Sequence, residues 1–179
     1  AFRMCGERAA EASQASCSLL LDLKTRAWAW DLVDELRVPR RLLPPIKPAG
    51  SRLGTLSAEA ATTLGLRAGT PVAVGGADTQ CALLGAGVIE PGQLAIVAGS
   101  SAPLMLVLDE PRVDSEARLW TQPHLLPGRW VLEANASNMG DAVEWFAQLL
   151  FPDAPNPVAR LAAEAAGSVP GASGMLSTL

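Results

Sequence analysis

Residues 71–80, Pro-Val-Ala-Val-Gly-Gly-Ala-Asp-Thr-Gln, carry the clearest signal of the fold that this sequence predicts. Its first four residues form a continuous apolar run, which is typical of a strand buried on both faces. Two glycines follow, and Asp78 then precedes the apolar stretch 81–84. This order indicates a strand, a glycine turn and a helix whose N-terminus stabilises the negative charge.

The sequence before this stretch alternates between strand and helix signals. The apolar segment 18–22 predicts a strand that enters a turn, and 31–37 predicts a short amphipathic helix. A proline-rich passage follows, and a second helix is expected from Ser57, a good N-cap residue, to Gly65.

The sequence after this stretch predicts a new sheet. Residues 94–98 and 104–108 form a predicted hairpin with small residues at its tip. A further strand and two helices are expected at 130–133, 138–150 and 157–166, the first helix with Val143, Phe146, Leu149 and Leu150 on one face. The sequence therefore predicts an α/β chain with a boundary near residues 87–92.

Composition excludes several classes of protein. Hydrophobic residues make up 49% of the 179-residue chain and charged residues 18%, with a formal net charge of −4. Such a chain buries a core, and it lacks the basic surplus of a nucleic-acid-binding protein and any run long enough to span a membrane. Its three cysteines fit no zinc spacing, which predicts reduced thiols and a cytoplasmic protein.

Two turns carry the candidate chemistry. Asp78 follows Gly75-Gly76, which allows close approach of a ligand, and its carboxylate suits a general base; the same position also suits an ordinary helix cap. The tip Gly99-Ser100-Ser101 exposes amides and hydroxyls that suit a phosphate, although a plain turn uses the same residue types. Each turn alone leaves both interpretations open.

Four short motifs follow one another through the middle of the chain: Gly-Gly-Ala-Asp at 75–78, Gly-Ala-Gly at 85–87, Glu-Pro-Gly at 90–92 and Gly-Ser-Ser at 99–101. Their order resembles the domain junction of the FGGY family of carbohydrate kinases, where the last turn usually reads Gly-Thr-Ser. Residues 124–130 resemble the His-x-x-Pro-Gly-x-Trp turn of the xylulose-kinase branch, with a weaker likeness to autoinducer-2 kinases.

This resemblance implies domains of the actin-like ATPase and ribonuclease H-like type. Residues 1–90 would be the C-terminal part of the sugar-binding N-terminal domain, and residues 91–179 the N-terminal part of the ATP-binding C-terminal domain. It implies ATP and Mg²⁺ as cofactors and phosphorylation of a small sugar or polyol, with a ketopentose such as xylulose the first expectation.

The resemblance also implies roles for single residues. Asp78 would be the general base, and Gly76 and Thr79 would bind the substrate, although the family usually has Asn or Gln at the second position. The ATP phosphates would be held by the hairpin tip, Gly99, Ser100 and Ser101. No residue of the chain is expected to be a metal ligand.

The chain begins at Ala1 and ends in an apolar stretch at Leu179, so we expect a piece of a longer protein. The family's first glycine-rich hairpin and its adenosine motif would lie outside it, and the isolated piece is expected to be inactive. Sugar and ATP are the expected partners, without nucleic acid or membrane, and a homodimer is left open.

Other classes of protein compete with the kinase. Departures from the family pattern at Ser100, Ala102 and Pro103 leave open a non-catalytic binding or regulatory module with the actin-like fold. An actin-type assembly protein is disfavoured by the turn that carries Asp78. His124, the single histidine, is interpreted as a structural turn residue, and the tryptophans as packing residues in preference to a sugar-stacking surface.

Overall fold

The computed structural model describes residues 1–136 and 138–175. The elements of the first half are α1 Phe2–Cys5, α2 Ala12–Ser16, β1 Leu21–Asp22, β2 Ala27–Trp28, α3 Trp30–Glu35, a 3-10 turn Arg40–Leu42, β3 Arg52–Thr55, α4 Ala58–Leu64, β4 Pro71–Ala73 and α5 Asp78–Gly85. The second half contains β5 Leu94–Ile96, β6 Ala102–Leu108, β7 Trp120–Pro123, β8 Trp130–Ala136, α6 Met139–Leu150, α7 Pro157–Ala165 and a 3-10 turn Ala172–Gly174. The mixture of helices and sheets confirms the α/β class.

The chain divides into two compact units that interleave in sequence. The first unit combines Ala1–Ala95 with Met105–Glu133, and the second combines Ile96–Leu104 with Ala134–Leu179. The predicted domain division between residues 90 and 91 concerns the family's architecture and stays a prediction.

The helix α4 begins and ends where its local signals predict. The Ser57 hydroxyl accepts a hydrogen bond from the Ala60 amide at 3.1 Å, which satisfies one unpaired donor of the first turn. Gly65 closes the helix at φ 65°, a left-handed conformation that glycine adopts without a Cβ clash. This prediction is confirmed at both ends.

The strand β4 is buried on one face, so the prediction of burial on both faces is wrong for this structure. Within the described residues β4 pairs only with β3, in a two-stranded antiparallel sheet. Val72 and Val74 are buried, and Val72 packs with Leu56 and Ala61 of the α4 side. Pro71 and Ala73 point the other way and are exposed, because no described layer covers that face.

The first predicted strand, residues 18–22, is reduced to Leu21–Asp22. The residues before it continue the turn that follows α2. The hydroxyls of Ser16 and Ser18 donate to the carbonyls of Ser13 and Ala15, at 2.7 and 2.6 Å. Such local side-chain bonds hold the backbone in a helical turn and delay the strand.

The predicted hairpin is confirmed and belongs to a separate four-stranded sheet with the order β5-β6-β8-β7. The helices α6 and α7 lie within one residue of their predicted bounds and pack against each other. The predicted apolar face of α6 is not buried: Val143, Phe146, Leu149 and Leu150 are 39–61% exposed, and Ala147 is the buried residue instead. None of the described helices has the length and apolar character needed to cross a membrane.

Candidate active site

Asp78 is the first residue of α5 and is exposed. The N-cap residue is Ala77, which has no side chain that could cap the helix. One carboxylate oxygen of Asp78, Oδ1, accepts a hydrogen bond from the Thr79 amide at 2.8 Å. Oδ2 has no hydrogen-bond partner in residues 1–136 and 138–175. The side chain therefore presents one free acceptor oxygen at the positive end of a helix.

The two glycines before Asp78 differ in their surroundings. Beside Gly75 there is open space, whereas a methyl group on Gly76 would lie 2.3 Å from Leu125 Cδ2. Neither glycine has a positive φ. The missing side chain at Gly76 thus makes room for Leu125, a contact that the sequence did not predict, and Gly75 is the glycine with room for a ligand. A substrate contact by Gly76 or Thr79 stays a prediction.

A buried chain of hydrogen bonds connects the turn before Asp78 to α2. The hydroxyl of Ser13, which is 0% exposed, accepts from the Ala77 amide at 3.0 Å and donates to the Glu11 carboxylate. The same carboxylate oxygen accepts from the amides of Ser13 at 2.8 Å and Gln14 at 3.4 Å, and so caps α2. Sequence reasoning missed Ser13, because its partner lies 64 residues away.

Gln80, two residues after Asp78, is 0% exposed. Within the described part of the chain, neither its amide nitrogen nor its amide oxygen has a hydrogen-bond partner. A buried amide without partners costs free energy, so Gln80 is unusual among the polar residues near the turn.

His124 is completely buried and belongs to the same unit as α5. Its Nδ1 accepts from the Leu126 amide at 3.0 Å, which leaves the proton on Nε2, 3.3 Å from the Val88 carbonyl. Burial lowers the pKa of His124, and the charges of Arg26 and Arg129 lower it further. Both ring nitrogens serve backbone groups, in agreement with the structural role predicted for this residue.

The turn that carries His124 and Leu125 is fastened to the β1–β2 hairpin. The Arg26 guanidinium donates to the Leu126 carbonyl at 3.1 Å and to the Arg129 carbonyl, and it lies 5.1 Å from the centre of the Trp130 ring. The Trp130 indole donates to the Leu23 carbonyl at 2.8 Å. These contacts hold Leu125 against Gly76.

Trp28 and Trp30 make packing contacts of different kinds. Trp28 is 8% exposed, packs in the cluster with Ala12, Ala15 and Leu21, and donates from its indole to the Pro44 carbonyl at 2.7 Å. Trp30 is 37% exposed and faces Arg40, whose guanidinium lies 4.8 Å from the ring centre. Their contacts agree with the packing interpretation.

The second predicted turn lies in the second unit, between β5 and β6. The Gly99 amide donates to the Ser101 carbonyl at 3.0 Å, and the Gly140 amide of α6 donates to the Ser100 carbonyl at 2.9 Å. A methyl group on Gly140 would lie 2.4 Å from the Gly99 carbonyl oxygen. The start of α6 therefore touches the hairpin tip through a glycine that sequence reasoning missed.

The hairpin tip has groups that fit a phosphate. Ser100 is exposed, and the hydroxyls of Ser100 and Ser101 hydrogen-bond to no other described residue. Among the residues that the structure describes, no group of three or more His, Cys, Asp or Glu side chains could hold a metal ion.

Comparison with known proteins identifies the family. Residues 1–85 match the model of the FGGY family of carbohydrate kinases, N-terminal domain. The chain is 38% identical over 146 residues to the autoinducer-2 kinase of Escherichia coli strain K12, which covers 82% of this chain. The chain spans 28% of the length of that relative.

Solved structures give the same answer. The xylulose kinase of Rhodospirillum rubrum is 32% identical, with a TM-score of 0.82 over 98% of this chain and 36% of that one. The gluconate kinase of Lactobacillus acidophilus is 25% identical, with a TM-score of 0.84 over 95% of this chain and 34% of that one. Sugar kinases of this kind have the actin-like ATPase fold, which confirms the predicted fold class. The chain belongs to the FGGY family of carbohydrate kinases, and residues 1–85 match its N-terminal domain.

Proposed function

We propose that the intact protein transfers the γ-phosphoryl group of ATP to a hydroxyl group of a small sugar or polyol. ATP supplies the phosphoryl group when bound. Oδ2 of Asp78 accepts the proton of the substrate hydroxyl, whose oxygen forms the new bond to phosphorus as the bond to the departing ADP breaks. Positioning and charge stabilisation supply most of the catalysis in such transfers, so one well-placed carboxylate suffices as the base.

One observation carries this proposal: a carboxylate at the start of α5 that is exposed, keeps a free oxygen and stands on a turn fixed by buried contacts. The membership in a family of carbohydrate kinases supports the same reading.

The phosphate contacts belong to the other unit. Gly99, Ser100 and Ser101 would hold the phosphates, because the two hydroxyls have no partner within the described residues and the tip carries no large side chain. Mg²⁺ would neutralise phosphate charge. It would be held by the phosphates and by groups that do not form an acidic cluster among the described residues.

Two substrates are the main candidates. A ketopentose such as xylulose is the expectation from residues 124–130, and the xylulose kinase of Rhodospirillum rubrum supports it. Autoinducer-2 is the second candidate, because relatives named autoinducer-2 kinase reach 38% identity. Both are proposals, since specificity rests on a few hydrogen bonds to substrate hydroxyls.

The test is ATP consumption by the intact protein with ketopentoses, polyols, gluconate and autoinducer-2. Asp78→Asn is expected to lower kcat by about 10²–10⁴-fold, the usual contribution of a general base. Glu59→Gln, an exposed acid in the first turn of α4, is the matched control and should leave kcat unchanged. Ser100→Ala combined with Ser101→Ala should raise the KM for ATP with a smaller change in kcat.

The outcomes separate the classes of protein. Turnover of one substrate, lost in Asp78→Asn and kept in Glu59→Gln, supports the kinase and names its substrate. A folded protein without turnover of any of them contradicts the proposal and favours the non-catalytic binding module. Equal turnover by the wild type and Asp78→Asn removes Asp78 as the base. The 179-residue chain alone is expected to show no turnover.

A further inference from the structure

Three buried residues connect α2 to the turn that carries Asp78. Glu11, Ser13 and Ala77 are 5%, 0% and 6% exposed. The Ser13 hydroxyl has one proton, which it donates to Glu11, and it uses a lone pair to accept from the Ala77 amide at 3.0 Å. The direction of both hydrogen bonds is thereby fixed, because an amide only donates and a carboxylate only accepts.

We infer that Ser13 is a positioning residue for Asp78, acting through the Ala77 amide and oriented by Glu11; the inference rests on the proposed role of Asp78 as the base. Ala77 is the N-cap residue of α5, so its backbone sets the point and the direction from which the helix starts. A shift of this amide moves the carboxylate of the next residue with it.

The role of Glu11 is to make the Ser13 hydroxyl a stronger and better fixed acceptor. A hydroxyl that donates to a carboxylate gains electron density on its oxygen, which strengthens the bond it accepts. The carboxylate is itself fixed by the amides of Ser13 and Gln14, so α2 and the hydroxyl form one rigid group. The Ala77 amide would otherwise be a buried donor without a partner, which costs free energy.

The expected effect is on the chemical step. A misplacement of about 1 Å lowers the rate by about 10²-fold, so Ser13→Ala should lower kcat by about 10- to 100-fold. The KM values for sugar and ATP should stay within about 3-fold, because the Ser13 hydroxyl is buried and contacts no exposed group. Ser13→Thr keeps the hydroxyl and should recover most of kcat.

The matched control is Ser16→Ala. Ser16 is a buried serine of the same helix, 8% exposed, whose hydroxyl donates to the Ser13 carbonyl at 2.7 Å and makes no bond to Ala77. Its loss removes a buried hydroxyl of α2 without touching the Asp78 turn, so kcat should change by less than about 3-fold.

The experiment measures kcat, KM and the hydrogen exchange of the Ala77 amide in the intact protein, with residue-resolved mass spectrometry. Faster exchange at Ala77 and a lower kcat in Ser13→Ala, but not in Ser16→Ala, is the expected result. Unchanged exchange at Ala77, or faster exchange with an unchanged kcat, overturns the inference while the Asp78→Asn result stands by itself. If Asp78→Asn keeps full turnover, the proposed role of Asp78 as the base has failed and the inference falls with it, although the phosphoryl transfer itself stands.

A second variant covers a folding failure of Ser13→Ala. Glu11→Gln keeps an oxygen acceptor but removes the charge, so it should weaken the hydrogen bonds from Glu11 through Ser13 to Ala77 without removing them. We expect an intermediate loss of kcat and an intermediate increase in exchange at Ala77. A Glu11→Gln protein with wild-type exchange and wild-type kcat also overturns the inference.

Discussion

The two turns that carry the candidate chemistry are held in opposite ways. The Asp78 turn is supported by a buried hydroxyl below it and by the Leu125 side chain against Gly76. The Gly99-Ser100-Ser101 turn is held by backbone hydrogen bonds and by the backbone of α6 at Gly140. The first turn depends on the identity of side chains far away in sequence, whereas the second depends on the absence of a side chain at one position.

The largest loss of stability among the variants that test this contrast is expected from Gly140→Ala. The added methyl would lie 2.4 Å from the Gly99 carbonyl oxygen and 2.9 Å from Ser100 Cα, and backbone atoms do not swing aside. We expect a loss of about 1–3 kcal/mol in the free energy of unfolding, measured by urea denaturation. Gly76→Ala should cost less than about 1 kcal/mol, because only the tip of Leu125 must rotate.

The control for this pair is Gly85→Ala, at the end of α5, where an added methyl meets nothing within 4 Å. It should be neutral or stabilising by up to about 1 kcal/mol, because alanine favours the helix. A Gly76→Ala protein that loses as much stability as Gly140→Ala would show that Leu125 is as rigid as backbone, and the contrast between the turns would disappear.

The next effect concerns the buried amide of Gln80. Gln80→Met has nearly the same size but no unpaired polar atoms, so we expect it to raise the free energy of unfolding of the 179-residue chain by about 1–2 kcal/mol. Urea denaturation of this chain measures it. Lower stability in Gln80→Met would mean that the amide has partners, and the Asp78 turn would then have a further polar support.

The smallest effect is a pH dependence of stability from His124. Burial holds its folded pKa below the ordinary value of 6.5, so the unfolded chain binds a proton at a pH where the folded chain does not. The free energy of unfolding should therefore fall as the pH decreases from 7 toward 5. Hydrogen bonds lower the pKa values of Asp22, Asp34 and Asp114, so these acids contribute only near and below their ordinary 3.8.

The measurement is urea denaturation of the 179-residue chain at pH 7, 6 and 5, with His124→Gln beside the wild type. His124 is the only histidine of the chain, so its replacement should flatten the profile over this range. A variant that keeps the full wild-type slope would assign the pH dependence to another group.

Features that depend on neighbouring residues in the sequence could be predicted from it. The Ser57 hydroxyl and the left-handed Gly65 act within four residues of themselves, so both ends of α4 could be predicted from the sequence. Asp78 at the start of a helix and the small residues at the hairpin tip were predictable for the same reason.

Long-range contacts explain what the sequence could not predict. Burial of β4 and of the α6 face depends on which layers lie against them, and periodicity does not contain that information. The bond from Ala77 to Ser13 joins residues 64 positions apart, and the one from Arg26 to Arg129 spans 103. In the sequence, Glu11 followed by Ser13 indicates at most the start of a helix. It does not predict that the Ser13 hydroxyl bonds to a distant residue.

The long reach of the Arg26 contacts has a consequence for biosynthesis. A ribosome makes Asp78 roughly 50 residues before it makes Trp130, a delay of about 3–10 s at typical elongation rates. During that interval Arg26 lacks its carbonyl acceptors, and Gly76 lacks the side chain that covers it. The first unit therefore stays incomplete during synthesis until its second segment, Met105–Glu133, has been made. That segment follows Ile96–Leu104, which belongs to the second unit.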